Sequence, residues 1–204
     1  MTKTIKLSLA TGRDTRNNIF CEDGHPIYKA TTSFAITGRV TTICKIIKDG
    51  TSTTTPANED RFHPVARIEW HVFESPVLRF EDGEVKSSDN FYSTGLETHG
   101  DDRVFFGPDG QEYQWKFSTD SKPKLYLSAD SGDILVASFH GSSLGIRSPK
   151  RNAYLEIFPG GSDIIDVIVA TFIYVERLSR KRPSGDRGSG TTYIASGTCT
   201  GTSC

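Results

Sequence analysis

A few side-chain groupings in the sequence could do chemistry. His71 alternates with Arg67 and Glu69 in VARIEWHVF, so the three share one face of an extended strand and could form a charged trio. Acid–base work there would need a nucleophile beside it, and the sequence names none; a solvated outer strand face accounts for the pattern. His140 adjoins Ser142 and Ser143 in SFHGSSLG, a superficially hydrolase-like cluster. It lacks the G-x-S-x-G elbow, and its glycines read as a turn leaving a strand. Gly107-Pro108-Asp109-Gly110 has neither the lysine nor the following helix of a phosphate-cradling loop, and reads as a hairpin turn. Asp109, Asp120, Asp130 and Asp133 are turn acids without calcium-loop spacing. Cys21 and His25 stand at a metal-ligand spacing but have no second pair. Asp163 and Asp166 lie one helical turn apart, where capping explains both. No catalytic residue, metal or cofactor is expected.

The basic cluster Arg177, Arg180, Lys181, Arg182 and Arg187 is a stronger functional candidate. Cations at the end of a helix complement its dipole and aid solubility. They would also form a polybasic patch, each cation contributing about 1 kcal/mol on an anionic leaflet. Cys199 and Cys204 could carry acyl chains as the second anchoring signal. With Cys204 as the last residue, prenylation at a C-a-a-X box is not expected. The string RKRP also fits a nuclear-localisation reading. Ser179 and Ser184 stand beside arginines as kinase sites whose phosphate would weaken the patch.

The elements that must position these residues are mostly strands. Lys3–Leu9, Asn18–Glu22, Pro26–Phe34 and Arg39–Lys48 are rich in Thr, Ile and Val. In the next strand Ala66, Ile68, Trp70 and Val72 fall on one face. Pro76–Phe80, Glu84–Lys86, Arg103–Phe106, Gln111–Phe117, Lys124–Ser128, Ile134–His140 and Asn152–Phe158 follow, with Asp49–Phe62 and Ser87–Asp102 read as long loops. Turn signals are spaced as in an antiparallel sandwich or barrel of about twelve strands.

Ile164–Val175 is the exception, with only Asp166 and Thr171 polar. Its β-branching favours a strand, but its length exceeds one. The segment therefore reads as a helix over about 163–179, capped by Ser162 or Asp163 and stopped by Pro183. A helix apolar on every side must be surrounded. Residues 1–182 thus form one β domain around a buried helix, and the Gly/Ser/Thr-rich 183–204 reads as a disordered tail.

Composition bounds the rest. The 204 residues carry 24 Lys+Arg against 25 Asp+Glu, which argues against bulk nucleic-acid binding. The first residues, MTKTIKLSLATGRD, lack the apolar run of a signal peptide, and no stretch suits a membrane span. The four cysteines are expected as free thiols in a reducing, cytoplasmic setting.

The strings ARIEWH, RVFFGPDGQEYQWK, FHGSSLGI and LEIFPGGSDIIDVIVATFIYVERLSRKR are similar to an uncharacterised fungal (basidiomycete) family of unknown function. Short strands followed by one apolar C-terminal helix also resemble the tubby C-terminal-like fold, shared by tubby proteins, LURP-one-related proteins and phospholipid scramblases. The resemblance covers roughly Lys3–Lys181 and implies a closed antiparallel barrel enclosing the helix. Ile68, Trp70, Phe105, Tyr113 or Trp115, Phe139, Leu155 and Ile157 would then point inward. The tubby phosphoinositide-binding positions do not map onto this chain.

Together these readings lead us to expect a monomeric, non-enzymatic binding module for anionic membrane lipid or a protein partner, cytoplasmic or peripheral at a membrane. Scramblase-like activity and an enzyme with an unrecognised site between the long loops are the alternatives.

Overall fold

The computed structural model describes residues 3–12, 14–35, 38–47, 61–71, 75–81, 85–86, 92–93, 102–117, 122–130, 132–145 and 149–180. Thirteen strands among them form one antiparallel sheet. They are β1 (Ile5–Leu9), β2 (Asn18–Glu22), β3 (His25–Ala35), β4 (Gly38–Ile47), β5 (Arg61–Trp70), β6 (Val77–Phe80) and β7 (Val85–Lys86), then β8 (Tyr92–Ser93), β9 (Arg103–Phe106), β10 (Glu112–Phe117), β11 (Pro123–Leu127), β12 (Ile134–His140) and β13 (Tyr154–Ile157). β7 and β8 are two-residue strands, and the other eleven run four residues or longer. The spatial order is β7-β6-β5-β4-β3-β2-β1-β13-β12-β11-β10-β9-β8. The first and last strands therefore meet mid-sheet, with Leu7 opposite Leu155.

Three strands occupy the spans expected from sequence: Asn18–Glu22, Arg103–Phe106 and Ile134–His140. β5 begins earlier than its alternation suggests. Arg61–Pro64 has no period-two pattern, yet it pairs with Cys44–Ile47 after a register shift at Ile43/Cys44, and the ladder imposes the extension. Within the expected loop Ser87–Asp102, Tyr92 and Ser93 pair with Val104 and Arg103. The turn at Gly107–Gly110 is as expected: the Gly110 amide donates to the Gly107 carbonyl at 3.0 Å, and Gly110 takes φ +75°.

The helix is α1 (Ile165–Arg180), and its start differs from the sequence expectation. Pro159–Ile164 forms a 3-10 turn that leads directly into it. Neither Ser162 nor Asp163 caps. Phe158 is the extended residue before the turn, Pro159 opens it with a preset φ, and the Ser162 hydroxyl donates back to the Pro159 carbonyl at 3.0 Å. Gly161 is needed there: a Cβ would lie 2.7 Å from Ile168 Cδ1 and 2.8 Å from Val136 Cγ1.

Every residue from Ile168 to Glu176 is buried, as an all-round apolar helix requires. What buries it comes from both arms of the sheet. Phe172 meets Phe20 of β2, Trp115 of β10 and Phe139 of β12, with ring centroids 6.5, 6.1 and 4.8 Å away. Tyr174 stacks on Trp70 of β5 at 6.0 Å. Thr171 Oγ1 accepts from Trp115 Nε1 at 3.0 Å. Of the inward positions expected from sequence, Ile68, Trp70, Phe105, Leu155 and Ile157 are buried, as are both Tyr113 and Trp115, and Phe139 packs against the core. The sheet curls around α1.

Candidate functional site: the basic end of the sheet

An antiparallel meander alternates its connections between two ends, and this sorts the charged residues. The end from which α1 emerges receives the β1–β2, β3–β4, β5–β6, β10–β11 and β12–β13 connections and the start of β9. It carries Arg16, Arg39, Arg103, Lys122, Lys150 and Arg151, together with Arg177 and Arg180 of α1. The opposite end, where α1 begins, carries Glu22, Asp23, Glu81, Asp109, Glu112, Asp130, Asp133, Asp163 and Asp166, against Lys3, Lys45 and Arg61. Among the described residues, cations and acids are thus sorted to one basic and one acidic pole, in a chain whose net charge is -1.

The described acids at the basic pole are covered or paired. Asp102 is buried, accepting from the Phe117 amide and from Gln114 Nε2, both at 3.3 Å. Asp14 pairs with Arg16 at 3.2 Å. Glu176, only 5% exposed, accepts from Thr15 Oγ1 at 2.9 Å and pairs with Arg180 one turn along. Burial raises the Glu176 carboxyl above its ordinary range, opposed by Arg180 and Thr15. Burial also lowers the neighbouring Arg177 guanidinium, as do the like charges of Arg16 and Arg39, while Asp14 and Glu176 act the other way. Three arginines from the β1–β2 connection, β4 and α1 therefore share one field.

At the acidic pole the contacts look structural. Asp166 accepts from Tyr28 of β3 and pairs with Lys45 of β4 at 3.0 Å, which ties the first turn of α1 to two strands and favours its dipole. Burial, with Asp166 behind it, pushes the Tyr28 phenol far above its usual range. Asp109 accepts from Tyr113 at 2.7 Å and from the Gln111 amide at 3.1 Å, which fixes the hairpin turn.

Of the residues singled out from sequence, Arg177 and Arg180 lie at the basic pole; Lys181, Arg182, Arg187, Cys199 and Cys204 lie outside the described residues. Sequence reading missed Arg16, Arg39, Arg103, Lys122, Lys150 and Arg151 as partners of the helix cations. The available signal was the alternation of turns, since in a meander every second connection shares an end. His71 faces Glu69 at 3.8 Å, and Glu69 also accepts from Arg79 at 3.0 Å, on the outer sheet face. His140 pairs with Glu156 at 3.0 Å and stacks on Tyr154 at 4.5 Å, while Ser143 bridges to Arg151. Neither histidine meets a nucleophile in these contacts. Cys21 and Cys44 are free thiols, both raised by burial. Among the described residues no three His, Cys, Asp or Glu side chains gather as a metal site, and no helix is long and apolar enough to cross a membrane.

No curated protein and no solved structure matches the chain. The profile of one family does match, over residues 13–181, from the connection after β1 to the residue after α1. That span takes in the sheet from β2 to β13, the enclosed helix and the described cations of the basic pole, and on this match the chain belongs to the family of unknown function DUF6593.

Proposed function

We propose that this domain is a non-enzymatic binding module that docks its basic pole on an anionic membrane surface. The supporting observation is the sorting of cations and acids to opposite ends of α1. A helix of 16 residues spans about 24 Å. That is roughly three Debye lengths at physiological salt, where one length is about 8 Å. A membrane touching the basic pole is therefore screened from the acidic one, and the net charge of the chain says little about the interaction. Each cation within reach of the leaflet contributes about 1 kcal/mol. Lys181 and Arg182 follow Arg180 directly in the sequence and add two cations to that segment, with acylation of Cys199 or Cys204 as an added anchor.

Flotation of the full chain with phosphatidylserine–phosphatidylcholine vesicles, at low and high salt, tests the reading. Binding at low salt that weakens steeply as salt rises is expected. Absence of binding at low salt would overturn it.

The same reading includes a closed, tubby-like barrel. The two sheet edges, β7 and β8, run in the same direction because twelve antiparallel pairings separate them, so completing the ring around α1 would take one parallel pairing between them. Cross-strand amide contacts between 85–86 and 92–93 by NMR would support closure, and rapid amide exchange throughout both strands would oppose it.

A further inference from the structure

Phe34, near the tip of the β3–β4 hairpin, is 84% exposed, the highest value among the large apolar side chains described. Next comes Leu144 at 76%, in the connection after β12, and then Phe106 at 52%. The first two both belong to the basic pole; Phe106 belongs to the other end. Phe34 lies opposite Arg39 in the hairpin register, and the Arg39 guanidinium sits 4.9 Å from the centre of its ring. Arg39 in turn shares the field of Arg177 at the helix exit.

The hairpin is anchored below this tip. Thr32 Oγ1 donates to the Arg16 carbonyl at 3.0 Å, its amide donates to Asn17 Oδ1 at 2.8 Å, and its hydroxyl meets Thr41 Oγ1 at 2.8 Å. Phe34 is thus held out from a braced hairpin. A ring in water costs free energy that burial would recover, and a cation stacked on it is suited to the headgroup layer.

From these observations we infer that Phe34 is a membrane-inserting anchor, with Leu144 as a second apolar contact and Arg39 reading the anionic headgroups around it. This rests on the basic pole being the docking face, and it adds the mode: an apolar prong that enters the interface between cations. Amphipathic contact of this kind joins buried apolar area to electrostatic attraction. Charge complementarity favours a lipid surface over a two-fold pairing with a second copy, in which two basic poles would face and repel each other.

The test uses the full chain with vesicles of equal parts phosphatidylserine and phosphatidylcholine. In Phe34→Trp the new indole starts exposed, whereas Trp70 and Trp115 are buried. Its difference emission against the wild type should shift to the blue on vesicle addition and be quenched by brominated acyl chains. Phe34→Ala should lower partition about tenfold (about 1.4 kcal/mol) and leave the salt dependence unchanged. Binding with no blue shift, no quenching and undiminished Phe34→Ala partition would overturn the insertion and leave the electrostatic reading standing. No vesicle binding by any form would overturn both. A dimer dispersed by Phe34→Ala, with vesicle partition unaffected, would assign the ring to a second copy and overturn the insertion.

Discussion

Thr171→Val tests the seating of α1 against the sheet. Thr171 is fully buried; its hydroxyl oxygen accepts from Trp115 Nε1 at 3.0 Å and donates to the Val167 carbonyl at 2.8 Å. Valine matches threonine in shape, so the variant opens no cavity and leaves the aromatic packing around Phe172 in place. What changes is polar. One neutral hydrogen bond, worth about 1 kcal/mol net, is lost, and an indole N–H is left buried without its acceptor at a cost of about 1–3 kcal/mol. The extra buried methyl offsets part of this. A net destabilisation of about 2 kcal/mol follows, or roughly 4–8 °C in Tm for a domain of this size. Urea unfolding followed by near-UV circular dichroism reads it directly. Trp115→Phe removes the donor, so in that background Thr171→Val should cost at least about 1 kcal/mol less. Wild-type stability in Thr171→Val, or strict additivity with Trp115→Phe, would show that α1 does not meet β10 through this pair.

Three further outcomes follow from the same geometry. The Glu176 carboxyl is raised in the folded state, so folding binds a proton between its ordinary value of 4.5 and the higher folded one. Stability from this group is present below 4.5 and lost as pH rises through the folded value; Glu176→Gln should remove that decline in a pH series of urea midpoints. Gly161→Ala forces a Cβ against Ile168 and Val136 and should cost about 1–3 kcal/mol in the same assay, with reduced cooperativity if the 3-10 turn shifts. Asp166→Asn weakens the link from α1 to Lys45 and Tyr28. Because the ion pair is partly exposed, a loss of about 1–2 kcal/mol that shrinks at high salt is expected by thermal melting.

Much of the architecture is legible in the residues. Ala66, Ile68 and Trp70 alternate into the core as period two demands, and the all-round apolar run after Ile164 becomes an enclosed helix despite its β-branching. The entry to that helix is harder to read, because Pro159 and the tight packing at Gly161 decide it, and neither leaves a capping signature. The start of β5 depends on the pairing of Arg61–Pro64 with β4, a non-local cause that periodicity cannot carry. The candidate site is still less local. Arg177 and Arg180 stand out in the sequence, but Arg16, Arg39 and the pair Lys150-Arg151 are far apart along it. Only the strand order brings them to one pole, and the balanced total of charges conceals the separation.

The central claim is that charge position, and not charge total, governs what this domain binds. Neutralising two residues at each pole in separate full-length variants isolates it, with partition onto phosphatidylserine-containing vesicles as the readout. Arg39→Gln with Arg177→Gln removes two cations worth about 1 kcal/mol each at the leaflet, so affinity should fall roughly thirtyfold. Asp130→Asn with Asp163→Asn makes the chain more positive at the remote pole, and partition should stay within about twofold of wild type, given the screening length. Equal and opposite changes from the two variants, or indifference to both, would contradict the account.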